Sequence, residues 1–178
     1  MPTIITHAFV GTAAGSVWNS TVRTATFWVL SILLPMLPDV DVLMFRLGIP
    51  YEHWLGHRGL FHSLLFALVV ALIVTSVFFR EPPRFSKGWF VLAGYFFALI
   101  ASHDLLDAMT NGGLGIALLA PFDNTRYFLP WRPIAVSPIG LSNFFGAWGA
   151  RVMLNELLWV WLPVGGTVLL LKTALKRR

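Results

Sequence analysis

Cysteine is absent from this 178-residue sequence, and charged residues make up only 12% of it. The absence of cysteine excludes disulfide bonds and thiolate metal sites. The scarcity of charge, with a hydrophobic fraction of 57%, excludes an ordinary soluble domain, because such domains are about half apolar. No Lys or Arg precedes Arg23, so the first apolar stretch lacks the basic start of a cleavable signal peptide. We therefore predict an integral membrane protein.

The apolar stretches predict an all-α, polytopic helical membrane bundle. A crossing needs roughly 20 apolar residues, so the chain has room for about five membrane segments in a single integral-membrane domain over residues 1–178. The expected segments cover residues 4–18, 24–37, 64–79, 89–109 and 152–171. Pro38 is expected to end the second segment. A long irregular connection is expected between residues 110 and 141.

The basic residues lie in loops and at the C-terminus, which favours a role in membrane orientation over nucleic-acid binding. If the segments alternate, Arg23, the turn at residues 80–87 and the C-terminus share one side, which the positive-inside tendency makes cytoplasmic. Polar residues of five stretches then meet at the opposite, extracytoplasmic end of a protein of the prokaryotic inner membrane. Arg126 and Arg132 lie at that end against the charge rule, and we interpret them as substrate-binding residues for a phosphate.

The polar stretch His57-Arg58-Gly59-Leu60-Phe61-His62-Ser63 directly precedes an unbroken apolar run over residues 64–79. Ionisable groups at the mouth of a membrane segment predict a function. Without cysteine, a metal has to be held by imidazole and carboxylate, which suits zinc, manganese or iron. The predicted metal ligands are His7, Asp39, Asp41, His57, His62, His103 and Asp107.

Spacing supports several of these ligands. His103 and Asp107 are four residues apart on a predicted helix, so their side chains project from one face. Asp39 and Asp41 are two residues apart, so in an extended segment their carboxylates point the same way. Such carboxylates repel each other unless a cation or proton lies between them. The alternatives are hydrogen bonding to a neighbouring helix for the His103 group, a turn for the Asp39 pair, and a satisfied buried histidine for His7.

Arg58 and Asp104 are the predicted catalytic residues. The planar guanidinium of Arg58 matches two oxygens of a phosphoryl group. The alternative for this arginine is a salt bridge to a nearby acid: Asp39, Asp41 or Glu52. Asp104, or whichever of Asp39 and Asp41 is not a ligand, is expected to take a proton from water. Glu156 is expected to pair with Arg151 or to face the site.

The order of these residues along the chain is similar to a known family pattern. It comprises His7, Pro38-Asp39-Val40-Asp41, the stretch at residues 57–63, His103-Asp104-Leu105-Leu106-Asp107, Thr110, Gly112 and Pro121-Phe122. This pattern resembles the YdjM-like family of membrane-bound metal-dependent hydrolases over residues 6–138, and the stretch at residues 57–63 is its specific part. Phe61 departs from the family pattern, in which threonine is common. The change removes a hydroxyl near the ligands and leaves the ligand set intact.

The ligand set is also distantly similar to that of the zinc-dependent phospholipase C and P1 nuclease group. These helical enzymes hold their metals with Asp, His and His-xxx-Asp pairs, for which His103 and Asp107 supply a match. The second His-xxx-Glu pair of that group has no counterpart in this sequence. The resemblance therefore implies one or two divalent ions, zinc in the first place and manganese in the second.

The sequence thus predicts a membrane-embedded hydrolase that cleaves a phosphoester bond in a phospholipid or lipid-linked phosphate by a metal-activated water. Hydrolysis of a lipid amide or ester by the same metal site is one alternative. A divalent-metal transporter or sensor is another, although such proteins usually hold their ligands near the bilayer midplane. A purely structural membrane protein would leave the polar cluster unexplained.

Overall fold

The computed structural model describes residues 1–18, 22–138 and 144–176. Within these ranges the fold is all-α, as predicted, and consists of five apolar helical units. Three of the described units are long and apolar enough to cross a membrane: Ala25–Arg46, Lys87–Ala108 and Ala147–Lys176. The two shorter apolar helices are Ile4–Val17 and Leu64–Phe78.

The elements are, in chain order, α1 (Ile4–Val17), α2 (Ala25–Leu33), a 3-10 helix (Leu34–Val42), α3 (Leu43–Arg46), a short 3-10 helix (Leu60–His62), α4 (Leu64–Phe78), α5 (Lys87–Ala108), α6 (Ala147–Glu156), a π-helical turn (Leu157–Trp161) and α7 (Leu162–Lys176). Hydroxyl side chains begin several of them. Thr3, Thr24, Ser63 and Ser86 each accept a hydrogen bond from the backbone N–H three residues later. Each cap satisfies a donor that the first helical turn leaves free, which matters most where no water is available.

The prediction that the second segment ends at Pro38 is wrong. α2 passes directly into the 3-10 helix and then into α3, so the helical path runs for 22 residues. Pro35 lies at the start of the 3-10 helix, where the missing N–H of proline is tolerated. Asp39 and Asp41 consequently lie on a helix of about three residues per turn, which separates their directions by about 120°. The expectation of parallel carboxylates on an extended segment is therefore also wrong.

The apolar core lies between α2, α4 and α5. Phe27, Phe96 and Ile100 are fully buried there, together with the small residues Ala67 and Ala71 of α4. In contrast, none of the described α7 residues is buried. Outward-facing leucines on a helix of this length are typical of a surface that contacts lipid.

The polar residues of the sequence meet at one end of the bundle. This end is formed by the start of α1, the 3-10 helix after α2, the start of α4 and the end of α5. The connection after α5 covers it, and backbone hydrogen bonds from Ala117 N to Arg58 O (2.9 Å) and from Leu64 N to Leu118 O (3.1 Å) hold that connection in place. At the other end, Arg23, Lys172 and Lys176 line a cavity of about 540 Å³ beside the end of α1.

Close packing of α1 against α2 depends on Gly11. A Cβ at this position would overlap the carbonyl oxygen of Ser31 and would lie 2.9 Å from Cγ of Pro35. We expect Gly11→Ala to lower the free energy of unfolding by about 1–3 kcal/mol, because the two helices cannot separate without losing contacts on both sides. Thermal unfolding in detergent would measure the change.

Gly94→Ala on α5 is the matched control, because no atom lies within 4 Å of a Cβ built there. Alanine stabilises a helix relative to glycine by about 1 kcal/mol, so this variant should be at least as stable as the wild type. Equal stability of the two variants would contradict the close approach of α1 and α2.

Candidate metal centre

Two imidazole rings face each other at the centre of the polar end. Nε2 of His62 lies 3.0 Å from Nε2 of His103. Their outer nitrogens are engaged elsewhere: Nδ1 of His62 lies 3.0 Å from Oδ2 of Asp41, and Nδ1 of His103 lies 2.8 Å from the carbonyl oxygen of Pro35. Because a carbonyl and a carboxylate only accept hydrogen bonds, each Nδ1 carries a hydrogen, and in a neutral ring Nε2 then presents a lone pair. Two facing lone pairs favour a cation between or beside them.

Burial lowers the pKa of the His62 imidazole from its ordinary value. The lowered pKa favours the neutral ring, because burial penalises the charged form. A neutral imidazole is the form that binds a metal ion. The environment of His62 therefore suits it to the role of ligand.

Two carboxylates complete the arrangement. Oδ1 of Asp39 lies 3.5 Å from Nε2 of His103 and 3.9 Å from Nε2 of His62. Asp107 places Oδ2 3.7 Å from Nε2 of His62 and Oδ1 4.0 Å from Nε2 of His103. Neighbouring ligand atoms around a tetrahedral zinc ion are separated by about 3.4 Å, as follows from bond lengths of about 2.1 Å. The carboxylate oxygens, at 3.5 to 4.0 Å from the imidazole nitrogens, therefore lie close to the separation expected between ligands of one ion.

His7 joins the same group from α1. Its Nε2 lies 3.9 Å from Oδ1 of Asp107, and its ring stacks on His103 with centroids 3.9 Å apart. The residue is fully buried, and neither of its ring nitrogens has a hydrogen-bond partner among the described residues. A buried imidazole with both nitrogens unpaired costs free energy, which argues against the satisfied-histidine alternative.

We call His7, Asp39, His62, His103 and Asp107 the convergent group. Within the described residues there are two sets, with no member in common, whose ligand atoms lie within 4.8 Å of one another: His7, His103 and Asp107 in the first, and Asp39, His57 and His62 in the second. The two sets adjoin through the contact between His62 and His103. The geometry thus suits one ion or two.

Asp41 lies behind the histidines rather than beside their inward nitrogens. Its Oδ1 lies 2.6 Å from Nδ1 of His57, and its Oδ2 contacts Nδ1 of His62 and accepts the backbone N–H of Arg58 at 2.8 Å. The backbone at Arg58 has a φ of 64°, in the left-handed region. A carboxylate that holds the outer nitrogen of a ligand histidine is a common feature of metal sites, because it fixes the ring orientation. Asp41 is therefore placed to orient ligands, and the ligand role predicted from the sequence stays a prediction.

Arg58 points inward and is only 1% exposed. Its Nε lies 2.9 Å from Oδ2 of Asp107, its Nη1 donates to the carbonyl oxygen of Gly112 at 3.0 Å, and its Nη2 donates to Oγ1 of Thr110 at 3.2 Å. Arg58 thus forms a salt bridge, as the alternative held, but its partner is Asp107 and not Asp39, Asp41 or Glu52. This pairing leaves Oδ1 of Asp107 facing His7 and His103.

The two arginines predicted to bind substrate have other contacts in the structure. Arg126 donates through Nη1 to the carbonyl oxygen of His57 at 2.9 Å and through Nη2 to those of Tyr51 and His53 at 3.0 and 3.2 Å. It therefore fastens the loop that carries His57. Arg132 is exposed and lies 4.7 Å above the ring of Phe128. Their role in phosphate binding stays a prediction.

Asp104 is placed apart from the convergent group. It is 1% exposed, and neither carboxyl oxygen has a hydrogen-bond partner among the described residues. The residue lines an apolar cavity of about 230 Å³ between α5, the start of α4 and the connection after α5. The sequence placed Asp104 next to the ligands along the chain, but its direction on the helix is about 100° from that of His103.

Sequence reasoning missed a second buried network, which anchors the start of α1. The fully buried carboxylate of Glu156 accepts the backbone N–H of Thr3 at 2.6 Å and the hydroxyls of Thr3 and Thr6. Trp161 donates through Nε1 to Oγ1 of Thr6 at 2.6 Å. The network lies one residue from His7, whereas the sequence suggested Arg151 as the partner of Glu156. The signal available in the sequence was the threonine pair that frames the first helical turn.

We expect Glu156→Ala to lower the free energy of unfolding by about 2–3 kcal/mol, because the variant leaves buried donors of Thr3 and Thr6 without an acceptor. Glu52→Ala is the control, since Glu52 is exposed, and it should change stability by less than about 0.5 kcal/mol. Chemical or thermal unfolding of both variants in detergent measures the difference. Similar stability of the two would show that the network does not anchor α1.

Comparison with known proteins agrees with these observations. The sequence model of the YdjM inner membrane protein family matches residues 1–177. The chain is also similar to the inner membrane protein YbcI of Escherichia coli (strain K12), with 40% identity over 168 residues that cover 92% of each chain. No solved structure matches the chain. The family match extends beyond residues 6–138, on which the resemblance rested, and includes the final helix.

Proposed function

We propose that this chain, which belongs to the YdjM inner membrane protein family, is a metal-dependent hydrolase embedded in the inner membrane. The convergent group carries the proposal, because three imidazoles and two carboxylates from four separate stretches meet at distances of 3.0 to 4.0 Å. The donor set of nitrogen and oxygen fits zinc first and manganese second. A divalent cation held there would lower the pKa of a bound water and polarise an oxygen of the substrate.

The surrounding residues hold the ligands in place. Asp41 and the carbonyl oxygen of Pro35 fix the rings of His62 and His103 through their outer nitrogens. Arg58 fixes one oxygen of Asp107 and leaves the other free. Ligands that are already oriented need little reorganisation when an ion binds. We assign Arg58 to positioning on this basis, in place of direct contact with a phosphoryl group.

Asp39 is the best-placed proton acceptor of the convergent group. It is 9% exposed, whereas the other four members are fully buried. Neither of its carboxyl oxygens has a hydrogen-bond partner among the described residues. A carboxylate with one oxygen near the ligand nitrogens and the other free can accept a proton from an attacking water.

We propose a phosphoester bond in a phospholipid or lipid-linked phosphate as the target. The lipid part is supported by the outward-facing leucines of α7 and by the position of the convergent group at one end of the bundle. The phosphoester part is supported by the similarity of the His103 and Asp107 pair to phospholipase C ligands. The basic residues at the other end of the bundle favour an extracytoplasmic site.

The test is a hydrolysis screen of the purified full chain, loaded with zinc or manganese and reconstituted into vesicles. Phospholipids, lipid-linked phosphates and lipid amides and esters are supplied in parallel, and the products are identified by mass spectrometry and phosphate release. We expect phosphoester cleavage by the wild type and by Arg46→Ala, an exposed-site control, and none by His103→Ala. Release of fatty acid instead would favour the amide or ester alternative. Metal flux across the vesicle membrane without any product would favour a transporter.

A further inference from the structure

The carboxyl group of Asp104 lies in a cavity that is otherwise apolar. The cavity has a volume of about 230 Å³, and its walls include Leu64, Leu105, Ile116 and Phe128. Asp104 is 1% exposed, and both of its carboxyl oxygens lack hydrogen-bond partners among the described residues. Burial of an acceptor without a donor costs free energy, so such a group is expected to meet its donor on a ligand.

A second cavity adjoins the first and opens on the outer surface of α4. Its volume is about 430 Å³, and Leu64 and Leu118 belong to the walls of both cavities. Apart from Asp123, its lining is apolar. Leu68 is 45% exposed and Phe122 is 85% exposed, so the cavity opens where a membrane helix meets lipid. A hydrocarbon chain can enter this cavity from the bilayer without crossing a polar barrier.

The charge of the two linings indicates which head group they fit. The two linings contain neither Lys nor Arg. A phosphate beside Asp104 would therefore lose its water without gaining a cation, which costs free energy. The nearby guanidinium groups of Arg58 and Arg126 are engaged with Asp107 and with backbone carbonyls. The cavities therefore suit a hydrogen-bond donor rather than an anion.

We propose that the two cavities bind one membrane lipid, with a hydrocarbon chain along Leu65, Leu68 and Phe97 and a head-group donor, an ammonium or a hydroxyl, on Asp104. This inference rests on the proposed function and deepens it, because it names the substrate class as a lipid with a donor-bearing head group. Asp104 directly follows the ligand His103 on α5. A head group held by Asp104 thus lies on the face of α5 that is about 100° round the helix from His103.

The test compares lipids with the same acyl chains and different head-group donors. The purified full chain in detergent is titrated with phosphatidylethanolamine, phosphatidylglycerol and phosphatidylcholine of identical acyl chains, and bound lipid is counted by native mass spectrometry. Ethanolamine has N–H donors and glycerol has hydroxyls, whereas choline has neither. We expect at least one donor-bearing lipid to bind about tenfold more tightly than phosphatidylcholine, as suits one hydrogen bond to a buried carboxyl group. Phosphoethanolamine without chains should not bind.

Variants of Asp104 identify the acceptor. Asp104→Leu should reduce the affinity for the preferred lipid to that for phosphatidylcholine. Asp104→Asn, which keeps one accepting oxygen, should retain most of the difference in affinity. Asp123→Asn at the mouth of the second cavity should change it little. If Asp104→Leu does not fold, Leu68→Trp replaces it, because a larger side chain in the second cavity should exclude all three lipids. Equal binding of the three lipids to the wild type, or a preference unchanged in Asp104→Leu, would overturn the proposal.

Metal content measured in the same samples separates this inference from the proposed function. Asp104→Leu should keep the metal of the wild type, because Asp104 lies outside the convergent group. A chain that prefers donor-bearing lipids but binds no metal would contradict the hydrolase and leave the lipid site standing. A chain that binds metal and shows no lipid preference would contradict the lipid site and leave the proposed metal centre standing.

Discussion

Replacing His103 with alanine is expected to abolish metal binding and hydrolysis together. His103 supplies the Nε2 that lies 3.0 Å from His62, and its ring stacks on His7. The variant thus removes one proposed ligand and a packing contact of another. Loss of an outer partner of a ligand costs about 10–100-fold in metal affinity, so loss of the ligand itself should cost more than about 100-fold. Elemental analysis of the detergent-purified protein, after reconstitution with zinc or manganese, measures the metal content.

His53→Ala is the matched control for this experiment. His53 is exposed, and its Nδ1 accepts the backbone N–H of Leu55 at 3.2 Å, away from the convergent group. The metal content of His53→Ala should equal that of the wild type. Asp107→Ala should lose its metal, as His103→Ala does. A wild type that stays free of metal after reconstitution would contradict the hydrolase proposal. Equal metal in all of these variants would contradict the site.

Arg58→Ala is expected to lower the free energy of unfolding of the metal-free protein by about 3–5 kcal/mol, since it leaves Asp107 buried without its ionic partner. A bound cation would compensate part of this loss, so added zinc should stabilise the variant more than it stabilises the wild type. The stability of Arg58→Lys should lie between those of the wild type and Arg58→Ala. An ammonium keeps the charge but cannot make both hydrogen bonds of the guanidinium, to Thr110 and Gly112. Unfolding curves with and without metal measure these differences.

Arg46→Ala serves as the control for charge removal, because Arg46 is exposed at the end of α3, and its effect should stay below about 0.5 kcal/mol. The experiment also decides between two roles for Arg58. A variant that keeps its stability and its metal but loses turnover would support the phosphoryl contact predicted from the sequence. Loss of stability together with weaker metal binding supports the positioning role.

Several features of the site were accessible from the sequence because they depend on local spacing or composition. Absence of cysteine limits the ligands to imidazole and carboxylate. The spacing of His103 and Asp107 places both on one helical face, and the structure brings both to the convergent group. The stretch at residues 57–63 carries the family resemblance, which the match over residues 1–177 confirms.

Other features depend on packing between distant segments and were not accessible. The helical path continues through Pro38, which lies inside the 3-10 helix, and this path turns Asp39 and Asp41 to different partners. The partner of Arg58 is Asp107, far along the chain, and only the approach of α4 and α5 brings them together. The apolar surroundings of Asp104 come from the connection after α5, whose course the sequence left open.

The anchoring of α1 by the last helical unit has a consequence for how the protein matures. Glu156 holds Thr3 and Thr6, which flank the turn that carries His7. The first proposed ligand in the chain is thus set in place by a residue that leaves the ribosome much later than His7 does. We expect metal loading to follow insertion of the final helix, so that a newly made chain crosses the membrane before it acquires its ion. Under the proposed function, the inner membrane would receive the protein inactive, and the supply of metal on the side that the centre faces would govern when it becomes active.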